Sequence, residues 1–88
     1  MAEAVIIEAA RTAFGKYRGA LSQTRPDALL AHALKGVVSR SGIEPQKIGD
    51  VLVGSVTQIG EQGANVARQG SLLAGFPIEV PAASINRA

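Results

Sequence analysis

Polar side chains able to act on a ligand are few in this sequence, and the most suggestive ones follow a short apolar run. Val80-Pro81-Ala82-Ala83-Ser84-Ile85 reads as a strand of small and branched residues, with Asn86-Arg87 as its polar tip. In α/β proteins ligands bind beyond the carboxyl ends of parallel strands, so this tip is where chemistry is expected. The residue that would perform it is expected at the next position, after Ala88. Other candidates are weaker. His32, the one histidine, lies across its helix from the apolar stripe, beside Lys35 and Ser39, and reads as solvent-facing. Arg11, Lys16, Arg18 and Arg25 form a basic run with no acid between Glu8 and Asp27. Only Phe14 and Tyr17 lie among them, too few aromatics for a nucleic-acid surface, so the run reads as solvated loop charge, with anion contact as the alternative. Gly49 and Gly54 have the spacing of phosphate-loop glycines, but Ser55 stands where the lysine belongs, and the intervening residues form a strand. Gly60-Glu61-Gln62-Gly63 lacks the three-glycine dinucleotide pattern and leaves only a helix N-terminus that could receive an anion.

Composition bounds the remaining choices. Eighty-eight residues make at most one small domain, and 47% hydrophobic with 18% charged residues at net charge +2 describes a globular chain. There is no cysteine, which excludes disulfide and Cys-based zinc frameworks within the chain, and no metal site is expected. Glu3 and Glu8 interrupt the first apolar run and no basic segment precedes it, unlike a signal peptide. No stretch approaches the roughly 18 apolar residues of a membrane span. A cytoplasmic location is the default expectation.

The elements that must position the tip alternate. Ala4-Val5-Ile6-Ile7-Glu8-Ala9 predicts a strand apolar on both faces, followed by a long irregular connection over Arg11 to Arg25. Pro26 and Asp27 open a helix, with Asp27 as the expected cap and Leu30, Leu34, Val37 and Val38 on one buried face. Gly42 suits its left-handed end, and Pro45 prevents continuation. After one helical turn at Glu44 to Gly49, Asp50 to Val56 predicts a second strand. A second helix is expected from about Ala64 to Ala74, with a small-residue face of Gly63, Val66, Ala67, Gly70, Leu73 and Ala74. Arg68 falls opposite, where pairing with a carboxylate or a carbonyl is expected. Val80 to Asn86 is the third strand.

This strand, helix, strand, helix, strand order calls for a parallel sheet with right-handed crossovers. If the sheet grows in one direction, both helices cover the same face. The first two strands are apolar on both faces, so the other face would leave four or five aliphatic side chains wet, each forfeiting roughly 1.5–3 kcal/mol. The segment is therefore expected to need a further layer, from elsewhere in its polypeptide or from a partner.

Six motifs, Arg11-Thr12-Ala13-Phe14-Gly15-Lys16, Gly42-Ile43-x-Pro45, Asp50 to Gly54, Asn65-Val66-Ala67-Arg68-Gln69, Leu73-Ala74-Gly75-Phe76-Pro77 and Val80-Pro81 to Asn86-Arg87, are similar to the N-terminus of thiolases (acetyl-CoA acyltransferases). They occur in that family's order and spacing across essentially the whole chain. The resemblance implies a thiolase-like layered α/β fold, of which residues 1–88 are an incomplete N-terminal βαβαβ portion of a mixed, mostly parallel sheet. That portion would stop just before the nucleophilic cysteine. It implies acyl transfer between CoA thioesters through a cysteine acyl-enzyme, as thiolysis of 3-ketoacyl-CoA or condensation to acetoacetyl-CoA, in fatty acid metabolism and lipid degradation. The catalytic histidine and second cysteine would belong to the C-terminal half, so the fragment alone would be inactive. Coenzyme A thioesters would be the substrates, with no cofactor. The partners would be the rest of the polypeptide and a second copy, as a homodimer or homotetramer, with no nucleic acid or membrane. Asn86 and Arg87 resemble the residues that shape the nucleophile's loop. The Thr57–Gly63 loop is similar to the family segment near the partner subunit and the catalytic loop, which implies interface or loop-orienting roles for Gln58, Glu61, Asn65 and Arg68. Arg18 replaces a glycine common in biosynthetic members and leans towards a degradative thiolase. The alternatives are a thiolase-like protein that binds or condenses acyl thioesters, and a non-catalytic interaction module that uses its open sheet edge.

Overall fold

The computed structural model describes residues 3–87. Two helices and two strands alternate: α1 Pro26–Ser41, β1 Val51–Gly54, α2 Val66–Leu73 and β2 Ala82–Ile85, with single 3-10 turns at Pro45–Lys47 and Gly60–Gln62. The α/β class and the parallel pairing expected from the sequence are both present. β1 and β2 run parallel with Val51 opposite Ala82, Leu52 opposite Ala83, Val53 opposite Ser84 and Gly54 opposite Ile85. The ladder continues past both ends, through Val51 N–H to the Pro81 carbonyl at 3.0 Å and Ser55 N–H to the Ile85 carbonyl at 2.8 Å.

α1 begins at Pro26, whose missing N–H falls where the helix has no use for one. Arg25, not Asp27, occupies the capping position, in extended conformation and without a side-chain cap. Asp27 lies one residue inside the helix, where its carboxylate accepts the Ala28 N–H at 2.8 Å. Gly42 ends the helix with φ 73°, as expected, and donates its N–H to the Val38 carbonyl. α2 ends in a Schellman motif: Gly75, at φ 84°, donates to the Leu72 carbonyl and Phe76 donates to that of Ser71.

Both helices lie on the Val51/Val53 side of the strand pair. Ala31, Val51, Ala74, Phe76 and Val80 form the buried cluster, with Leu34, Val38, Ile48, Val53 and Ala82 packed around it. α2 is small where it meets α1, and a Cβ added at Gly70 would stand 2.8 Å from Leu30 Cγ. Leu73, expected inside, is exposed, and Ser71 is buried instead, its hydroxyl donating to the Arg68 carbonyl.

The first expected strand does not form. Residues 4–9 join no ladder, and Val5, Ile6 and Ile7 are 73%, 90% and 63% exposed. A strand needs a neighbour to take its N–H and C=O groups, and among the described residues none lies alongside. Instead, Val5, Ile6 and Ile7 line a shallow hollow with Val37, Val38, Ile43 and Ile48, and Arg40 reaches the Ala9 carbonyl at 3.4 Å.

Candidate functional site at the carboxyl ends of the strands

The parallel register brings residues 54–56 beside residues 85–87, although thirty positions separate them in sequence. Asn86 Nδ2 donates to the Val56 carbonyl at 3.2 Å, which ties the tip of β2 to the exit of β1. Arg87 borders an open hollow at this end with Leu52, Val53, Gly54, Ser55, Val56 and Ile85. Asn86 and Arg87 thus stand at the strand ends, as expected.

The 57–63 segment is folded onto its own start. Gln58 Nε2 donates to the Ser55 carbonyl at 3.0 Å, and the buried Ser55 hydroxyl donates to Gln62 Oε1 at 3.3 Å. Glu61 points elsewhere, accepting Arg25 Nη1 at 3.0 Å. Arg25 also grips Asp27 through Nε at 3.1 Å and Nη2 at 3.3 Å. That fork holds the Asp27 carboxyl below the usual carboxylate range; burial opposes the shift, and the Ala28 N–H assists it. Arg25 is held above its ordinary value by the same contacts, first the Asp27 hydrogen bond and then the two carboxylate charges.

α2 is fastened to β2 by Asn65, Ser84 and Arg68. Asn65 is left-handed at φ 66°, directly after left-handed Ala64 at φ 50°. Asparagine tolerates this conformation and alanine does not, so Ala64 stores strain of about 1–2 kcal/mol. Asn65 Oδ1 accepts the Arg68 N–H at 3.2 Å and the Ser84 hydroxyl at 3.2 Å, while Nδ2 donates to the Ala82 carbonyl at 3.0 Å. Ser84 Oγ accepts the Ala67 N–H at 3.2 Å, so the asparagine–serine pair meets the Ala67 donor and shares the Arg68 donor with the Asn65 carbonyl, 3.1 Å away. Arg68 pairs with carbonyls, as its position on the helix suggested: Nη1 to Val80 at 2.8 Å and Nη2 to Ile78 at 3.0 Å.

Of the residues singled out in the sequence, Arg68 holds the approach to β2, Asn65 its first residue, Asn86 ties its far end to β1, Gln58 braces the exit of β1, and Glu61 turns to the start of α1. His32 is exposed on α1. Ser55, Ser84 and Gln62 were not singled out. For the two serines the signal is a polar residue at an inward-facing position of an otherwise apolar run, visible only once the register is known; Gln62 lies in the Gly60–Gln62 turn and carries no such signal. These amides, hydroxyls and guanidinium can orient a backbone and present donors, but none is an activated nucleophile. Among the described residues no group of His, Cys, Asp or Glu could hold a metal ion.

Residues 4–88 match the pattern of the thiolase N-terminal domain. The chain belongs to the thiolase family. It is 45% identical over 87 residues to a steroid 3-ketoacyl-CoA thiolase of Mycobacterium tuberculosis, covering 99% of this chain and 21% of that protein. A beta-ketoadipyl-CoA thiolase of Acinetobacter baylyi is 41% identical over 88 residues, with 99% and 22% covered. The crystal structure of the Bacillus anthracis acetyl-CoA acetyltransferase superimposes with a TM-score of 0.88 at 37% identity, covering 94% of this chain and 21% of that one. The chain therefore spans about a fifth of the length of the thiolases it matches. It shares their N-terminal α/β arrangement of two helices and a parallel strand pair.

Proposed function

We propose that this chain works as the opening fifth of an acyltransferase that moves acyl groups between CoA thioesters, by thiolysis of a 3-ketoacyl-CoA or condensation to acetoacetyl-CoA. The main support is that 99% of the chain aligns at 41–45% identity with proteins named as CoA thiolases. The nucleophile in this proposal is a cysteine immediately after Ala88, a position outside the described residues. A thiolate placed beyond β2, at a helix start beside a histidine from the C-terminal half, would be ionised near neutral pH, its proton held by that histidine, and would attack the acyl carbonyl. With acetyl-CoA as donor the acyl–sulfur bond breaks as that of the acyl-enzyme forms, and coenzyme A leaves with the proton from the histidine; with a 3-ketoacyl-CoA the C2–C3 bond breaks instead, and acetyl-CoA leaves with a proton delivered to its C2.

In this proposal Asn86 and Arg87 shape the loop that carries the thiolate, with Asn86 fixed by the Val56 carbonyl. Gln58, Glu61, Asn65 and Arg68 hold the neighbouring segments in register. Substrates are CoA thioesters, with no further cofactor. The remainder of the polypeptide covers the open sheet face, and a second copy pairs along a sheet edge to give a dimer or tetramer. CoA thioesters are highly charged and do not cross membranes, which favours a cytoplasmic site of action. Among the described residues no helix is long and apolar enough to cross a membrane.

The test is to incubate the complete polypeptide with acetyl-CoA and map the modified peptide by mass. Acetylation of a cysteine directly after residue 88 is the expected result. A label elsewhere, or none, overturns the proposal.

A further inference from the structure

The basic residue at the start of α1 does more than solvate a loop. Two of the Arg25 donors are committed to the two oxygens of Asp27, whose side chain is only 10% exposed. A planar guanidinium held at both prongs has one orientation left, and that orientation sends Nη1 to Glu61 Oε2 at 3.0 Å. Glu61 belongs to the single 3-10 turn Gly60–Gln62, in the segment that runs from the exit of β1 to the start of α2. Every other hydrogen bond of residues 57–64 stays within residues 55–64 among the described residues. The bond from Arg25 crosses thirty-six positions.

We propose that Arg25 is a positioning residue, a guanidinium anchored on Asp27 that holds the 57–63 segment against the exit of β1 through Glu61. Its energetic scale follows from its exposure. Arg25 and Glu61 are 57% and 50% exposed, and ion pairs of this kind shift an equilibrium by up to about five-fold. The latch is therefore a bias on the segment, sensitive to ionic strength, and not a rigid lock. Its consequence for turnover rests on the acyl-transfer reading; its consequence for the segment does not.

The experiment is hydrogen exchange of peptides covering residues 57–63 in the complete polypeptide, comparing wild type with Glu61→Gln, Arg25→Gln and the double variant. Glu61→Gln leaves the Arg25–Asp27 fork intact, so it serves even if Arg25→Gln fails to fold. The expected result is exchange about two- to five-fold faster in each single variant, with no further gain in the double variant. In about 1 M salt, where the screening length is about 3 Å, wild type should converge on the variants. Unchanged exchange in Glu61→Gln, or an acceleration that persists at high salt, overturns the latch. In parallel, any difference in kcat for acyl transfer between wild type and Glu61→Gln should vanish at high salt, as the exchange difference does. A polypeptide that transfers no acyl group overturns the functional reading and leaves the exchange result to decide the latch.

Discussion

Asp27 shows how one side chain sets a local pH dependence. The Arg25 hydrogen bond holds its carboxyl below the usual carboxylate range, with the Ala28 N–H assisting, so protonation is harder in the folded chain than in the unfolded one. A depressed folded value means the stabilisation is complete above the unfolded carboxylate pKa and disappears as pH falls through the folded one. Asp27→Asn in the complete polypeptide should therefore unfold at lower denaturant than wild type at neutral pH. The gap should close as the solution is acidified below the ordinary carboxylate range. A gap that is constant with pH would mean that the charge is irrelevant. At this scale the sequence was partly legible. The sequence puts Asp27 at the helix opening, but whether it caps or sits one residue inside depends on Pro26 taking the first helical position. Arg68 was expected to find a carboxylate or a carbonyl, and it found two carbonyls. Ser55 and Ser84 were invisible because a serine in a strand has no significance until its neighbour across the ladder is known.

α1 and α2 meet where Leu30 lies over Gly70, and the absence of a side chain there sets how closely the helices approach. A Cβ at Gly70 would come within 2.8 Å of Leu30 Cγ and 3.3 Å of Leu30 Cβ, which no rotation of the leucine tip relieves. Gly70→Ala should cost about 1–3 kcal/mol by overpacking, even though alanine is the better helix former. Leu30→Ala on top of it should return part of that loss, so a double-mutant cycle by denaturant unfolding should show a coupling of about 0.5–3 kcal/mol. Strict additivity would place the clash elsewhere. The small-residue face of α2 was readable from spacing alone. Spacing also puts Leu73 on that face, yet it is exposed, because the helix buries Ala67, Gly70, Ser71 and Ala74 and the chain leaves it at Gly75. The strand expected at residues 4–9 was a sound reading of β-branched residues, but residue pattern cannot supply the neighbour that a ladder requires.

For the whole molecule, the decisive observation is an apolar face without cover. Leu52 and Ile85 lie on the side of the sheet away from both helices and are 64% and 39% exposed, and Val56, just past β1, is 65% exposed. The expectation of a wet face rests on two strands apolar on both faces; the first does not form, and the face is borne out on the second through Leu52 and on the last through Ile85. If the rest of the polypeptide covers this face, Leu52→Asp in the complete protein should cost at least about 2 kcal/mol, measured by denaturant unfolding. A change within about 0.5 kcal/mol would mean that the face stays wet. The parallel register carries one more consequence. Along β2, Ala82 and Ser84 answer to α2, whereas Ala83 and Ile85 answer to whatever lies across the sheet. Losing or gaining one residue in that strand would exchange the two sets, putting isoleucine against the asparagine and serine out of its reach. Natural variation in these four positions should therefore run through changes of residue type and never of length.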